Sequence, residues 1–384
     1  GLALFEEALA ALEPLSTPAA ESTRGWLLAR AASLATASNK IEQAKALAEA
    51  ALGLNRKLGT TAAVAATHVQ LGRVAWLRGE YPLAQEHYRQ ALEFHTTAGS
   101  LNGQARALDQ LGTVAWALGH YTEAQGYFER SLALFRQTGN LHSIAQVFDH
   151  LGVVARDTGD IGTAQACFRQ SYEIFKTLGA QMNLAFAANH LAGVLGNFAE
   201  AEPYFAQCIA IGKEYGDQRI VGYTLNDWAS FLMQAGDTAR AQPMFEESLV
   251  IFETLGEQFG VTLGHINLGQ LALDVGHLER ARQHLHSGMQ TAVAVENMRL
   301  VAMALSGWAR YLFATAQYTA ATKVLGFTQT LPSDSSEGAS NTATLLVEIR
   351  PHLPTVDFEA ALAWGQRAEL ADVLRECVEN VENR

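Results

Sequence analysis

The sequence predicts an all-α solenoid of consecutive helix pairs, and three observations support this prediction. The first is a template that recurs with a period of 40 residues. In residues 111–135, a Leu-Gly dipeptide is followed at fixed offsets by Ala115, Gly119, Tyr121 and Ala124, and closely similar residues occur 40 positions earlier and 40 positions later. A fixed period of this length indicates repeated units that stack on one another.

The second observation is two series of glycines with the same period. One series lies between the two helices of each pair, and the other follows the second helix. Because glycine tolerates the left-handed backbone that closes a helix, both series are expected to mark helix ends. The series are Gly79, Gly119, Gly159, Gly196, Gly236 and Gly276, and Gly59, Gly99, Gly139, Gly179, Gly216 and Gly256.

The third observation is the spacing of apolar residues between these glycines. Ala124, Phe128, Leu132 and Phe135 follow one another at helical intervals, and no segment alternates with the period of two that is typical of a strand. About seven helix pairs are expected, the last over about residues 300 to 327. A half-repeat precedes them at the N-terminus, and Asn39 occupies the turn position of an early pair at about residues 24 to 52.

The template stops after residue 327, so three regions are predicted. Residues 1–327 form the repeat array, the polar residues 328–344 form a linker, and residues 345–384 form a helical cap. A cap is expected because the last repeat would otherwise expose an apolar face. The chain also starts in the middle of a repeat, which leads us to expect a longer protein.

One repeat is shorter than the others. The distance from Gly159 to Gly196, and from Gly179 to Gly216, is 37 residues, so nearly one helical turn is missing from the end of a first helix. Two interpretations remain open. The shortening is neutral variation at a helix end, or it widens a groove in the middle of the array. The resulting pocket would lie near His150, Asn189, His190, Asn226 and Asp227.

Composition and missing motifs narrow the possible functions. A formal net charge of −12 argues against general affinity for nucleic acid or for an anionic membrane. The three scattered cysteines form neither a disulfide framework nor a metal pair, so a reducing cytoplasm is expected. The sequence contains no phosphate-binding loop, no GxSxG nucleophile elbow and no HExxH motif. We therefore expect no enzymatic activity, no cofactor and no metal, including at Asp149, His150 and His190.

The template resembles the tetratricopeptide repeat, here in a 40-residue form, over about residues 1–327. This resemblance implies a right-handed superhelix with a concave binding groove. The array and the tail FEAALAWGQRAELADVL also resemble the C-terminal sensor region of bacterial signal-transduction ATPases with several domains, including maltose-regulator-like transcription regulators. That second resemblance implies a ligand sensor placed after a nucleotide-binding domain, with any ATPase activity upstream of this chain.

The resemblance also indicates which positions of each first helix face the groove. They hold Asn, Asp, Gln, His and Trp rather than the Lys and Glu usual on a solvated helix, and amides suit a peptide backbone or a polar ligand. We expect a ligand-sensing and protein- or peptide-binding module, or alternatively a scaffold without a small-molecule switch. The predicted partners are a peptide, protein or small polar ligand and an upstream domain of the same polypeptide. The candidate binding residues are Asp109, Gln110, Trp116, Asp149, His150, Arg156, Asn189, His190, Asn226, Asp227, Asn267 and Gln270.

Overall fold

The computed structural model describes residues 2–15, 17–38, 40–295, 298–331 and 336–382. Within these ranges the chain is helical almost throughout and contains no strand, which confirms the all-α prediction. The predicted turn residue Asn39 lies outside the described residues.

The helices follow one another in pairs after a single N-terminal helix. Each even-numbered helix from α2 to α16 is the first helix of a pair, and the next odd-numbered helix is the second. The described residues thus hold eight pairs, because the early pair precedes the seven that carry the template. The helices are α1 (Leu2–Leu12), α2 (Pro18–Ala37), α3 (Ile41–Lys57), α4 (Thr61–Leu77), α5 (Tyr81–Thr97), α6 (Leu101–Ala117), α7 (Tyr121–Thr138), α8 (Leu141–Asp157), α9 (Ile161–Leu178), α10 (Gln181–Val194), α11 (Phe198–Tyr215), α12 (Gln218–Gln234), α13 (Thr238–Leu255), α14 (Gln258–Asp274), α15 (Leu278–Ala294), α16 (Met298–Ala314), α17 (Tyr318–Thr328), α18 (Ser336–Ile349), α19 (Thr355–Gly365) and α20 (Leu370–Glu382).

The chain divides into two compact units, residues 1–154 and residues 155–384. In both units the two helices of a pair pack against each other. In the second unit α10 also contacts α12, α12 contacts α14, and α14 contacts α16, so consecutive first helices lie side by side. The positions of the first helices that are predicted to face the groove are called the first-helix face below. They lie two and one before the Leu-Gly dipeptide and in the next turn after it.

The Leu-Gly dipeptide of the template has a packing reason. A Cβ atom on Gly112 would lie 2.6 Å from the ring of Phe128, and one on Gly72 would lie 2.6 Å from the ring of Tyr88. Only glycine therefore allows the aromatic ring of the second helix to lie directly on the first helix. Phe128 and Tyr88 are both fully buried by this contact, which makes them part of the core of their pairs.

Eleven of the twelve predicted glycines have the expected left-handed backbone. At Gly119, for example, φ is 76°, and the His120 N–H donates to the Ala115 carbonyl at 2.8 Å to close the helix. Gly196 is the exception, and the prediction for it was wrong. The shortened α10 has 14 residues and ends at Val194. It is followed by Leu195 with φ −76° and ψ 132°, so the chain leaves the helix in an extended conformation that needs no left-handed residue.

Ala316 has φ 60° and occupies the equivalent turn position after α16. Because a side chain strains this conformation, Ala316→Gly is expected to raise the free energy of unfolding by about 1 kcal/mol. Ala235 lies at the end of α12 with φ −78°, where there is no such strain, so Ala235→Gly is expected to lower it. Urea denaturation of both variants checks the prediction, and two changes of the same sign would contradict it.

The C-terminal helices cover the last repeat. Ile349, Phe358, Val373 and Cys377 are buried in one hydrophobic cluster with residues of α16 and α17. Helix α18 begins at Ser336 and so occupies part of the predicted linker, whereas residues 332–335 lie outside the described residues. The boundaries of the three predicted regions remain a prediction. No helix in the described ranges is long and apolar enough to cross a membrane.

Candidate ligand-binding face

The polar residues of the first-helix face meet their counterparts on the next first helix. Each contact joins two neighbouring first helices. One residue lies two positions before the Leu-Gly dipeptide, or before the Leu-Ala or Trp-Ala that replaces it, and its partner lies one position before the equivalent dipeptide of the next pair. The sequence separation is 41 residues, or 38 across the shortened repeat. The contacts are Asp109–His150 at 2.8 Å, Asn189–Asp227 at 2.6 Å and Asn226–Asn267 at 2.9 Å.

In the first unit the contact is an ion pair. His150 Nδ1 lies 2.8 Å from Asp109 Oδ1, and the imidazole ring lies against Phe128 with the ring centroids 5.1 Å apart. Burial lowers the pKa of His150, but the charge and hydrogen bond of Asp109, together with the charge of Asp149, raise it to about 9. His150 is therefore protonated at neutral pH and pairs with Asp109. Gln110 Nε2 donates to Asp109 Oδ2 at 3.4 Å, which links a third predicted residue to the pair.

In the second unit the contact is a chain of three amides around one carboxylate. Asn189 Nδ2 donates to Asp227 Oδ2 at 2.6 Å, Asn226 Nδ2 approaches Asp227 Oδ1 at 3.5 Å, and Asn267 Nδ2 donates to Asn226 Oδ1 at 2.9 Å. Helices α10, α12 and α14 supply these side chains. The four residues Asn189, Asn226, Asp227 and Asn267 are called the amide network below.

Two members of the amide network are buried, the other two are half-buried, and one buried oxygen has no described partner. Asn189 is 9% exposed and Asn226 is 2% exposed. Burial raises the pKa of Asp227 above its usual range, although the hydrogen bonds from Asn189 and Asn226 and the charges of His190 and Arg156 act in the opposite direction. The Oδ1 atom of Asn189 is buried and has no hydrogen-bond partner among the described residues. Such an acceptor is costly, and in the described part of the face the Oε1 atom of Gln70 in the first unit is in the same state.

Other predicted residues have described contacts or positions of their own. Arg156 Nη2 contacts Asp157 Oδ1 at 2.9 Å rather than a residue of the network. The His190 ring lies against Phe168 with the centroids 5.3 Å apart. Gln270 follows Asn267 on the same helix, α14, and Trp116 lies near the end of α6.

Sequence reasoning missed two features. Trp228 stacks on Phe205 with the ring centroids 5.7 Å apart, and its buried Nε1 has no partner in the described part of the chain. The available signal was the Trp-Ala dipeptide that replaces Leu-Gly in this pair.

The second feature is two histidine pairs, which join first and second helices with an Nδ1–Nδ1 distance of 3.1 Å in each. Both pairs have a separation of 19 residues, and this shared spacing could have revealed them; they are His68–His87 and His265–His284.

No group of three or more His, Cys, Asp and Glu side chains in the described ranges is placed to hold a metal ion. The side chains of the amide network are three amides and one carboxylate, and such groups make directional hydrogen bonds.

Comparison with known proteins agrees with this architecture. Residues 103–177 match the tetratricopeptide repeat family. No curated protein sequence matches the chain significantly.

Several solved structures share its fold. A Rap protein complexed with Competence and Sporulation Factor is 11% identical, with a TM-score of 0.63 over 94% of this chain and 100% of the other. The quorum sensor NprR from B. thuringiensis is 14% identical, with a TM-score of 0.56 over 88% of this chain and 96% of the other. A third similar structure is 12% identical to this chain. It is a signal transduction ATPase with numerous domains (STAND) from Pyrococcus horikoshii, and it has a tetratricopeptide repeat sensor.

The TM-score between this chain and the STAND protein is 0.55, over 94% of this chain and 54% of the other. These identities are low, so the similarity concerns the fold. Together with the family match, it confirms the resemblance that the template indicates: residues 103–177 are tetratricopeptide repeats, and the chain has the helical-repeat fold of these proteins.

Proposed function

We propose that this chain is a non-catalytic module that binds a peptide or protein segment on the first-helix face of its second unit. The observation that carries the proposal is the amide network, which links three neighbouring first helices through hydrogen-bonding side chains. Amides can donate and accept at once, as a peptide backbone does, so a row of them suits an extended peptide. Neighbouring packed helices lie about 10 Å apart, which allows one short segment to contact all three.

The similar solved structures support this function. The Rap protein was solved with Competence and Sporulation Factor, another Rap regulator with the Phr* peptide, and NprR is a quorum sensor. All three have the same kind of helical-repeat fold as this chain. We extend the peptide binding of the Rap regulator with Phr* to this chain as part of the proposal, because its own face carries buried amides suited to that task.

We further propose that the chain is the sensor part of a larger bacterial signalling ATPase or regulator. The STAND protein from Pyrococcus horikoshii combines an ATPase with a tetratricopeptide repeat sensor, and this chain spans 54% of it. In this arrangement a ligand on the first-helix face would change the contacts of the array with an upstream domain. The alternative is a scaffold that holds partner proteins without responding to a small ligand.

A thermal-shift screen with peptides, sugars and nucleotides tests the proposal. A ligand at 100 times its dissociation constant stabilises a protein by about 2.7 kcal/mol, so a binding peptide should raise the Tm measurably. The double variant Asn189→Ala with Asn226→Ala is expected to lose this shift while circular dichroism shows full helicity. The matched control is Gln242→Ala with Gln283→Ala, which removes two amides from the second helices of the same unit.

The outcomes separate the alternatives. A peptide-induced shift that the double variant loses and the control keeps supports the proposal. Binding that survives in the double variant contradicts the role of the amide network. If no peptide, sugar or nucleotide shifts the Tm, the sensor is excluded and the scaffold is favoured.

A further inference from the structure

We propose that Asn189 and Asp227 form a subsite for a cationic group with N–H donors, the guanidinium or ammonium of a bound peptide. This inference rests on the proposed function and specifies the chemistry of its ligand. Its basis is a buried acceptor that has no partner in the described part of the chain, beside a carboxylate that makes no ion pair there.

The orientation of the Asn189 amide identifies the acceptor. Its Nδ2 donates to Asp227 Oδ2 at 2.6 Å, and exchanging the amide nitrogen and oxygen would bring two oxygens to that distance. The contact with the carboxylate therefore determines which atom is left over, and that atom is Oδ1. Asn189 is 9% exposed, and Oδ1 has no hydrogen-bond partner in the described part of the chain. A buried acceptor without a partner costs about 1–3 kcal/mol, which a donor on a ligand would recover.

The charges around Asp227 favour a cation over an anion. Asp227 makes no ion pair within the described residues, although Arg156 and His190 are near enough to lower its pKa against the larger effect of burial. The two arginines of the first-helix face in this unit are already paired with aspartates. Arg156 contacts Asp157 at 2.9 Å, and Arg310 contacts Asp274 at 2.8 Å. Among the described residues of the face in this unit, Asp227 is thus a carboxylate without a paired cation, whereas Arg156 and Arg310 are paired.

The chemistry of the ligand follows from these two acceptors. A guanidinium or ammonium group carries several N–H donors and can serve the Asp227 carboxylate and the Asn189 Oδ1 atom together. A backbone amide has one N–H and can serve only one of them. Hydrogen bonds from a cation to a carboxylate are also about twice as strong as those between neutral groups. The subsite therefore selects a cation within a segment that the neighbouring amides hold by its backbone.

Selection from random phage-displayed octapeptides, followed by titration of synthetic peptides, tests this inference. We expect the selected peptides to be enriched in Arg or Lys, or to depend on a free amino terminus. In the first case, replacing Arg by citrulline, which keeps N–H donors but removes the charge, should weaken binding about tenfold, or about 1.4 kcal/mol. In the second case, acetylation of the amino terminus should have the same effect. In the Asp227→Asn variant, citrulline replacement or acetylation should no longer weaken peptide binding.

Glu246→Gln is the control, because it removes one negative charge from the exposed side of α13 in the same unit. Equal weakening by Asp227→Asn and Glu246→Gln would overturn the inference, as would selected peptides that are neutral or acidic. Those results would leave the proposed peptide-binding function intact. Failure to select any peptide would remove both. If Asp227→Asn does not fold, Asn189→Leu removes the second acceptor in a side chain of similar size, and unchanged affinity for the cationic peptide then overturns the inference.

Discussion

Gly365→Ala is expected to lower the free energy of unfolding by about 3 kcal/mol, at the upper end of the range for overpacked sites. A Cβ atom on Gly365 would lie 2.0 Å from the Lys323 carbonyl oxygen and 2.8 Å from the Phe327 nitrogen. Both atoms belong to the backbone of α17, so no side-chain rotation can relieve the clash. Helices α17 and α19 would have to separate, and Phe358 of α19 would lose part of its contact with the last repeat.

Urea denaturation measures this effect, and Gly193→Ala in the same unit is the matched control. Gly193 lies in α10, and a Cβ atom there would meet nothing within 4 Å. Since alanine has the higher helix propensity, the control is expected to raise the free energy of unfolding by up to about 1 kcal/mol. If the two substitutions have the same effect, the close crossing of α17 and α19 does not stabilise the cap.

Acid is expected to destabilise the protein through its two histidine pairs. In His68–His87 and His265–His284 the Nδ1 atoms lie 3.1 Å apart, so one imidazole donates to the other, and the accepting nitrogen must carry no proton. Burial, with the neighbouring His87 and Arg56, lowers the pKa of His68 to about 4; burial, with His284, lowers that of His265 to about 4. The pKa values of His87 and His284 are also lowered, mainly by burial. Protonation would place two like charges side by side.

The sign of the effect follows from the lowered pKa values. A histidine with a folded pKa below the unfolded value of 6.5 stabilises the protein fully above pH 6.5, and this contribution is lost as the pH falls towards 4. For His68, which is 1% exposed, the difference between 6.5 and about 4 corresponds to about 3 kcal/mol. His150 behaves in the opposite way. Its pKa is raised to about 9, so its contribution is present below pH 6.5 and is lost as the pH rises through 9.

The double variant His265→Leu with His284→Met provides a test taken from the chain itself. Leu225 and Met244 occupy the equivalent positions 40 residues earlier, so the replacement copies a neighbouring repeat. We expect the free energy of unfolding of the variant to fall less steeply between pH 6.5 and 4 than that of the parent protein. Chemical denaturation at half-unit pH intervals measures both curves. Parallel curves would show that the His265–His284 pair does not contribute to acid sensitivity.

Much of the fold could be predicted because successive repeats carry the same residues at the positions where helices pack and end. Leu-Gly dipeptides, glycines past helix ends and helical apolar spacing agree with one another in successive units, and such agreement specifies structure strongly. The exceptions occur where a unit departs from the pattern. Gly196 is not left-handed because α10 is three residues shorter, and Ala316 takes a left-handed backbone without being glycine. In both cases the position in the turn, rather than the residue type, decides the conformation.

The site could be predicted only in part. Repeat position was enough to assign Asn189, Asn226, Asp227 and Asn267 to one kind of surface, because the template recurs at fixed offsets. It did not show that Asn189 donates to Asp227, or that the other oxygen of Asn189 has no partner. These side chains are 38 residues apart and meet only when neighbouring first helices pack. The local sequence thus accounts for the helices and their order, whereas stacking of the helices decides which of the described polar groups hydrogen-bond to each other and which have no partner.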